Sequence, residues 1–212
     1  MLPQEEGTTR RQLIHLLKTH GDCSIVELAK ALGITEMGVR RHIHTLERDG
    51  FVQSELYRQA MGRPSYRYSL TKLADDLFPK NYPHLTLELL GELEEQSGGT
   101  EMIDRLFNGR REKLEAKYRE RMERKSLEER VAELASIQNA GGYMADWEPA
   151  EDGGYTLHER NCPIAQVADR YRQACHCEQG LFRDLLDADV ERTECLAEGG
   201  MRCTYAIRPK SN

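Results

Sequence analysis

The apolar positions of the first fifty residues recur at helical spacing in three short bursts. Leu13, Ile14, Leu16 and Leu17 form the first, with Thr8 or Thr9 as cap and Gly21 as stop. Ser24 with Glu27 three residues later is a capping box, opening a second helix over 24–32 that Gly33 closes. Thr35 caps a third over 36–48, with Val39, Ile43 and Leu46 on one inward face. Met37, Arg40, Arg41 and His44 then point largely outward. The pattern changes to strands over 51–57 and 66–70, with a turn over 58–64 between them.

This order of elements predicts a winged helix-turn-helix. The third helix would enter a major groove by its N-terminal half, presenting Thr35, Met37, Arg40, Arg41 and His44. Arg58 and Arg63 would reach phosphate or the minor groove from the wing. The wing segment GRPSYRYSLT resembles winged-helix regulators of the DeoR, ArsR and MarR kinds. His42 and Cys23 read as packing residues, and Glu36 as a dipole-favoured first-turn acid.

Beyond a Pro-bearing linker over 79–83, the pattern predicts helices over 84–95, 100–125 and 127–139. Apolar stripes run along them: Ile103, Phe107, Leu114, Tyr118 and Met122, then Leu127, Val131, Leu134 and Ile137. The dense charges of 110–130 read as solvated faces with i,i+4 pairs. Two strands follow over 142–148 and 155–160, then helices over 163–174 and 178–186. Two last strands, 190–196 and 202–208, flank a turn centred on Gly199.

Charge is uneven along the chain. Residues 1–72 carry 11 Lys and Arg against 8 Asp and Glu, whereas the rest carries 19 against 28. A mildly basic module on an acidic body suits local DNA contact and excludes a histone-like coat. No apolar run approaches the roughly 20 residues that span a bilayer, and no secretory leader is recognisable, so a cytoplasmic location without membrane contact is expected.

Five of the six cysteines, Cys162, Cys175, Cys177, Cys195 and Cys203, fall in the last quarter of the chain. In a reducing compartment such clustering points to metal or redox chemistry rather than structural disulfides. Cys162 precedes Pro163 and would sit at a helix N-cap, where the dipole favours thiolate. Cys195 and Cys203 are equidistant from Gly199, so a turn centred there sets them opposite each other; a one-residue slip would part them. The spacing is not the compact CxxC…CxxC of a zinc ribbon, and dispersed thiolates suit an iron–sulfur cluster. Zinc, a redox disulfide and inert thiols stay open on spacing alone.

The stretches NCPIAQVADRYRQAC and VERTECLAEGGMRCTYAI, behind a winged helix, resemble the suf-operon repressor group of DeoR-like regulators. The resemblance implies an iron–sulfur cluster, [4Fe-4S] or [2Fe-2S], that controls DNA binding. It implies Cys162, Cys175 and Cys203 as ligands, and the fourth ligand varies in that group. Asp189 stands where one version carries a cysteine, and His158 where another does. The hairpin register favours Cys195 as fourth, ahead of Cys177 and His158. Glu178 reads as the start of its helix rather than as a ligand.

The expected fold is α+β: a winged helix-turn-helix over 1–78, a helical linker or dimerisation region over 79–140, and a cysteine-bearing iron–sulfur sensor domain over 141–212. The expected function is a homodimeric, non-enzymatic transcriptional regulator that reads a two-fold operator in double-stranded DNA. The alternatives are a zinc- or thiol-based redox regulator and a small-ligand-sensing repressor without a cluster.

Overall fold

The computed structural model describes residues 6–58 and 64–210. The chain divides into two compact units, Met1–Lys80 and Asn81–Asn212.

The first unit contains α1 (Glu6–His20), α2 (Ile25–Leu32), α3 (Glu36–Arg48), β1 (Val52–Tyr57) and β2 (Ser65–Leu70). The expected capping box is present: Ser24 Oγ accepts from the Glu27 amide at 3.3 Å, and Glu27 Oε2 accepts from the Ser24 amide at 2.7 Å. Gly33 ends α2 at φ 67°, a left-handed conformation that any side chain would strain. Thr35 Oγ1 then accepts from the Gly38 amide and starts α3. α1 begins before Thr8 and Thr9, so neither threonine caps it.

Leu13, Leu17, Leu28, Val39, Ile43 and Leu46 close the core of this unit, and Cys23 packs among them. Each large apolar side chain so buried contributes about 1.5–3 kcal/mol. β1 and β2 pair antiparallel from Val52 opposite Leu70 to Tyr57 opposite Ser65. Cys23 adds a one-residue bridge to Tyr68, and Arg67 anchors that edge through the Asp22 carboxylate and carbonyl.

The second unit contains α4 (Tyr82–Glu94), α5 (Gly99–Met122), α6 (Leu127–Ala140), β3 (Ala145–Pro149), β4 (Tyr155–Glu159), α7 (Ala165–Arg170), α8 (Gln173–Leu186), β5 (Ala188–Glu194) and β6 (Cys203–Pro209). Its antiparallel sheet has the order β3-β4-β6-β5. One core joins Met122 of α5, Val131 and Leu134 of α6, Leu157 of β4, Phe182 and Leu186 of α8, and Tyr205 and Ile207 of β6. The helices expected as a separate region over 79–140 therefore share the core of the cysteine-bearing segment. Their apolar stripes need the sheet and α8 as partners. Pro83 sits in the first turn of α4, where its missing N–H costs nothing, rather than in a linker.

Lys125 and Arg121 flank Glu133 on α6, tying the α5–α6 corner together. The Lys125 ammonium, at 2.6 Å, and then Arg121 hold the Glu133 carboxyl below the usual carboxylate range. A depressed folded pKa stabilises above the unfolded value of about 4.3, and the gain is lost as pH falls through the folded pKa. Glu133→Gln should therefore lower the melting temperature near neutrality and flatten its fall below about pH 4.3. Melting curves across pH check this, and an unchanged acid limb would count against it.

Candidate functional site

The exposed face of α3 carries Met37, Arg40, Arg41 and His44, with Thr35 at its start. Together they line a shallow, open concavity with Gly38 and Thr45. Met37 is 75% exposed, an unusual placement for a large apolar side chain and one suited to a thymine methyl. Thr35 uses its hydroxyl as the cap, and Arg40 lies 3.8 Å from Glu36 one turn earlier. Arg58 is exposed at the end of β1; Arg63, the other expected wing contact, lies outside the described residues. Arg67, on β2, is committed to Asp22 and serves the wing's anchoring.

In the second unit, Cys162, Cys175, Cys195 and Cys203 line one small buried cavity, together with Glu159, Glu178 and Arg192. They come from four places: the loop before α7, the first turn of α8, the residue after β5, and the start of β6. The cavity volume is about 10 Å³, room for roughly one water-sized atom. Among the described residues, no three His, Cys, Asp or Glu side chains surround a common point as metal ligands do.

The local geometry departs from expectation in two places. No single helix spans 163–174: the chain breaks at Tyr171 (φ −114°, ψ 89°), so Cys175 and Cys177 both lie in the first turns of α8. Glu178 is accordingly inside α8 rather than at its start. Cys162 lies two residues before Ile164, the N-cap of the short α7. Burial, partly offset by the Ile164 amide, pushes its thiol up, so the dipole does not set its state. Burial likewise raises the thiols of Cys175 and Cys203.

The β5–β6 hairpin brings Cys195 and Cys203 together by a device that sequence symmetry did not reveal. Arg192 pairs with Tyr205, but after a bulge Glu194 pairs with Thr204. Continued one step, the shifted register sets Cys195 against Cys203; without the bulge, Glu194 would take that place. The Leu196 amide points at Cys203 Sγ, at 3.4 Å. Gly200 donates to the Cys195 carbonyl at 2.9 Å, and a Cβ on it would lie 2.8 Å from that oxygen. Gly200→Ala should therefore destabilise this unit by about 1–3 kcal/mol and displace Cys195. Chemical denaturation and thiol-labelling rates read the two effects, and unchanged Cys195 labelling would contradict the second.

Cys177 and His158 do not reach the cavity. Cys177 is buried beside Arg110, whose Nη1 lies 3.6 Å from its sulfur. His158 is offset by one residue from Glu159 on β4, so it takes the opposite face, where it meets Thr204 and Glu148. Of the polar residues around the thiols, the sequence pattern set Glu178 aside as a helix start and did not single out Glu159, Gln138 or Arg192. Strand parity was the available signal for Glu159, because it shares a face with Leu157. For Gln138 and Arg192 no local signal existed. Glu178 accepts from Tyr205 Oη at 3.0 Å and from Gln138 at 3.4 Å, while Arg192 donates to the Cys175 carbonyl at 3.2 Å.

A second, larger cavity of about 520 Å³ opens between α4, α5 and the segment around α7. Tyr82, Leu90, Leu106, Phe107 and Ile164 make it apolar, Arg110 gives it one cation, and Cys162 is part of its wall.

The winged helix-turn-helix DNA-binding family profile matches residues 8–53. With the fold above, this makes the first unit a winged helix-turn-helix of the DNA-binding kind. The chain is similar to the adhesin competence repressor AdcR of Streptococcus pyogenes (23% identity, 50% of this chain and 81% of that one, TM-score 0.30). It is similar to a MarR/EmrR family regulator of Acinetobacter sp. ADP1 (20% identity, 50% and 75%, TM-score 0.30). It is also similar to Bacillus subtilis PadR, solved in complex with operator DNA (13% identity, 88% and 98%, TM-score 0.30). No curated protein sequence matches the chain. Among the described residues, no helix is long and apolar enough to cross a membrane.

Proposed function

We propose that this regulator binds a two-fold operator as a homodimer and that a thiolate-held centre in Asn81–Asn212 sets its affinity. An iron–sulfur cluster bound by Cys162, Cys175, Cys195 and Cys203 is the centre we favour, with zinc as runner-up. One observation carries the reading: these four thiols, from four separate elements, line one buried cavity, while Cys177 and His158 lie elsewhere. Four soft sulfur donors fit an iron–sulfur cluster or zinc and poorly fit hard cations.

When bound, the cluster supplies sensitivity to redox state and to iron. The protein's part is mechanical. The cavity as built has room for about one atom, so loading must part the hairpin from α8 and the loop before α7. Those elements carry the core residues Phe182, Leu186 and Tyr205 between them, so loading would repack this core and give the unit one packing per loading state. DNA affinity then changes by population shift rather than by contact with the operator. The face of α4 that leaves Leu85 and Leu89 exposed is the surface we assign to the second copy, as a two-fold operator requires. We place the protein in the cytoplasm, where thiols stay reduced.

The test is anaerobic purification from iron-replete cells, with visible spectrum, iron and acid-labile sulfide, then operator binding of loaded and stripped protein. Colour with matched iron and sulfide, and a change in DNA affinity on stripping, are the expected results. A colourless, iron-free protein would remove the cluster, and zinc in its place would promote the runner-up.

The 520 Å³ cavity favours a second reading, a repressor that senses a small apolar molecule, since its size and lining match ligand pockets. Regulation that persists when Cys162 and Cys203 are both replaced by serine would favour it.

A further inference from the structure

We propose that Glu159 supplies an oxygen donor to the metal centre of the cysteine cavity, making the donor set mixed thiolate and carboxylate. The inference rests on the reading that the cysteines hold a metal, and it names a residue that reading does not use. Glu159 is 1% exposed and lines the cavity with the four thiols. Its backbone stands directly opposite Cys203 in the β4–β6 register, so both side chains rise on the same face of the sheet. Oε1 accepts from Gln138 Nε2 at 2.6 Å, whereas Oε2 is buried with no hydrogen-bond partner.

A buried carboxylate oxygen without a donor is costly in a folded protein, and such a group calls for a ligand. The cavity's own cation does not answer it: Arg192 is turned to the Cys175 carbonyl and to Glu198. The neighbouring acid is different. Glu178 has a donor on each oxygen, Gln138 on Oε1 and Tyr205 on Oε2, so it is spoken for. Glu159 thus combines what a ligand needs: an uncommitted oxygen, a second oxygen clamped by Gln138 that fixes the orientation, and a place among thiols.

Glu159→Gln tests this with little change of shape. Gln138 donates to the carbonyl oxygen of the new amide and so turns its NH₂, which cannot ligate, towards the cavity. The full-length chain is loaded with cobalt(II) alone as probe. Sulfur-to-cobalt charge transfer reports the thiolates, and the visible ligand-field bands report coordination number and oxygen ligation. The expected result is charge transfer of wild-type intensity in the variant, with altered ligand-field bands. Cobalt loss to a chelator should be at least about 100-fold faster, beyond the range for outer-shell changes. Ligand-field bands and release rate unchanged from wild type, with charge transfer intact, would overturn the role of Glu159 and leave the cysteine centre standing. Wild-type protein that shows no charge transfer would overturn the role of Glu159 and a single-ion thiolate centre, while the cluster is decided by the iron and sulfide content of the anaerobically purified protein. Should the variant fail to fold, wild-type protein labelled with ¹³C-glutamate answers instead. A carboxylate stretch that moves on cobalt binding supports the proposal, and an unmoved one rejects it.

Discussion

Replacing Cys203 by serine should abolish stable loading of the centre while the protein stays folded. The serine oxygen fills the place of the sulfur and can still accept from the Leu196 amide, which lies 3.4 Å from Sγ. The stripped variant should therefore melt within a few degrees of stripped wild type. Loading is another matter, because a serine hydroxyl is a hard, protonated donor in a site of soft thiolates. Metal retention should drop by at least about 100-fold, beyond the range for outer-shell changes. Operator affinity should then become independent of iron supply, fixed at the value of stripped wild type. Cys177→Ser is the matched control: it lies beside Arg110, outside the cavity, and should load normally. Metal content, visible spectrum and operator binding of both variants decide the matter. Normal loading of Cys203→Ser, or loss of loading only in Cys177→Ser, would redraw the ligand set.

The second large effect is expected on the DNA side. Arg40 and Arg41 lie on the exposed face of α3, beside Met37 and His44. A guanidinium that reaches a guanine edge is worth about 1–3 kcal/mol of discrimination, and one that reaches phosphate contributes a salt-dependent term. Arg40→Ala with Arg41→Ala should weaken operator binding by roughly 30-fold to 2 × 10⁴-fold, taking each arginine at about 1–3 kcal/mol. For every phosphate that the variant no longer neutralises, the slope of log affinity against log salt should shrink by about 0.9. Neither residue contributes to the core built by Val39, Ile43 and Leu46, so the melting temperature should hold. Titration of labelled operator at several salt concentrations reads both quantities. Wild-type affinity in the double variant would show that α3 does not face the groove in the way argued.

The winged helix was legible residue by residue because its determinants are local. Ser24 and Glu27 cap within one turn, Gly33 terminates by its own backbone freedom, and Val39, Ile43 and Leu46 repeat at helical spacing. The start of α1 was missed by a few residues, as helix ends usually are. The break between α7 and α8 was not legible, because no proline or glycine marks Tyr171; the turn forms where Tyr171 packs into the core and donates to Glu94 at 3.1 Å.

The cysteine site divides in the same way. Sequence alone determined the thiol types, their crowding into the last quarter, and the hairpin around Gly199. It also determined that the chain carries a winged helix-turn-helix, since capping and periodicity are properties of neighbours along the chain. Only the tertiary structure decided which thiols meet. A bulge between Arg192 and Glu194 corrects the register by one residue, α8 starts early enough to turn Cys175 inward, and Cys177 is left against α5. Tertiary packing also placed Glu159 among the thiols with one oxygen unpartnered. Helix starts and turns are set by interactions within a few residues. Which face of a strand or helix is closed over a cavity depends on groups tens of residues away, and that information exists only once the core is packed.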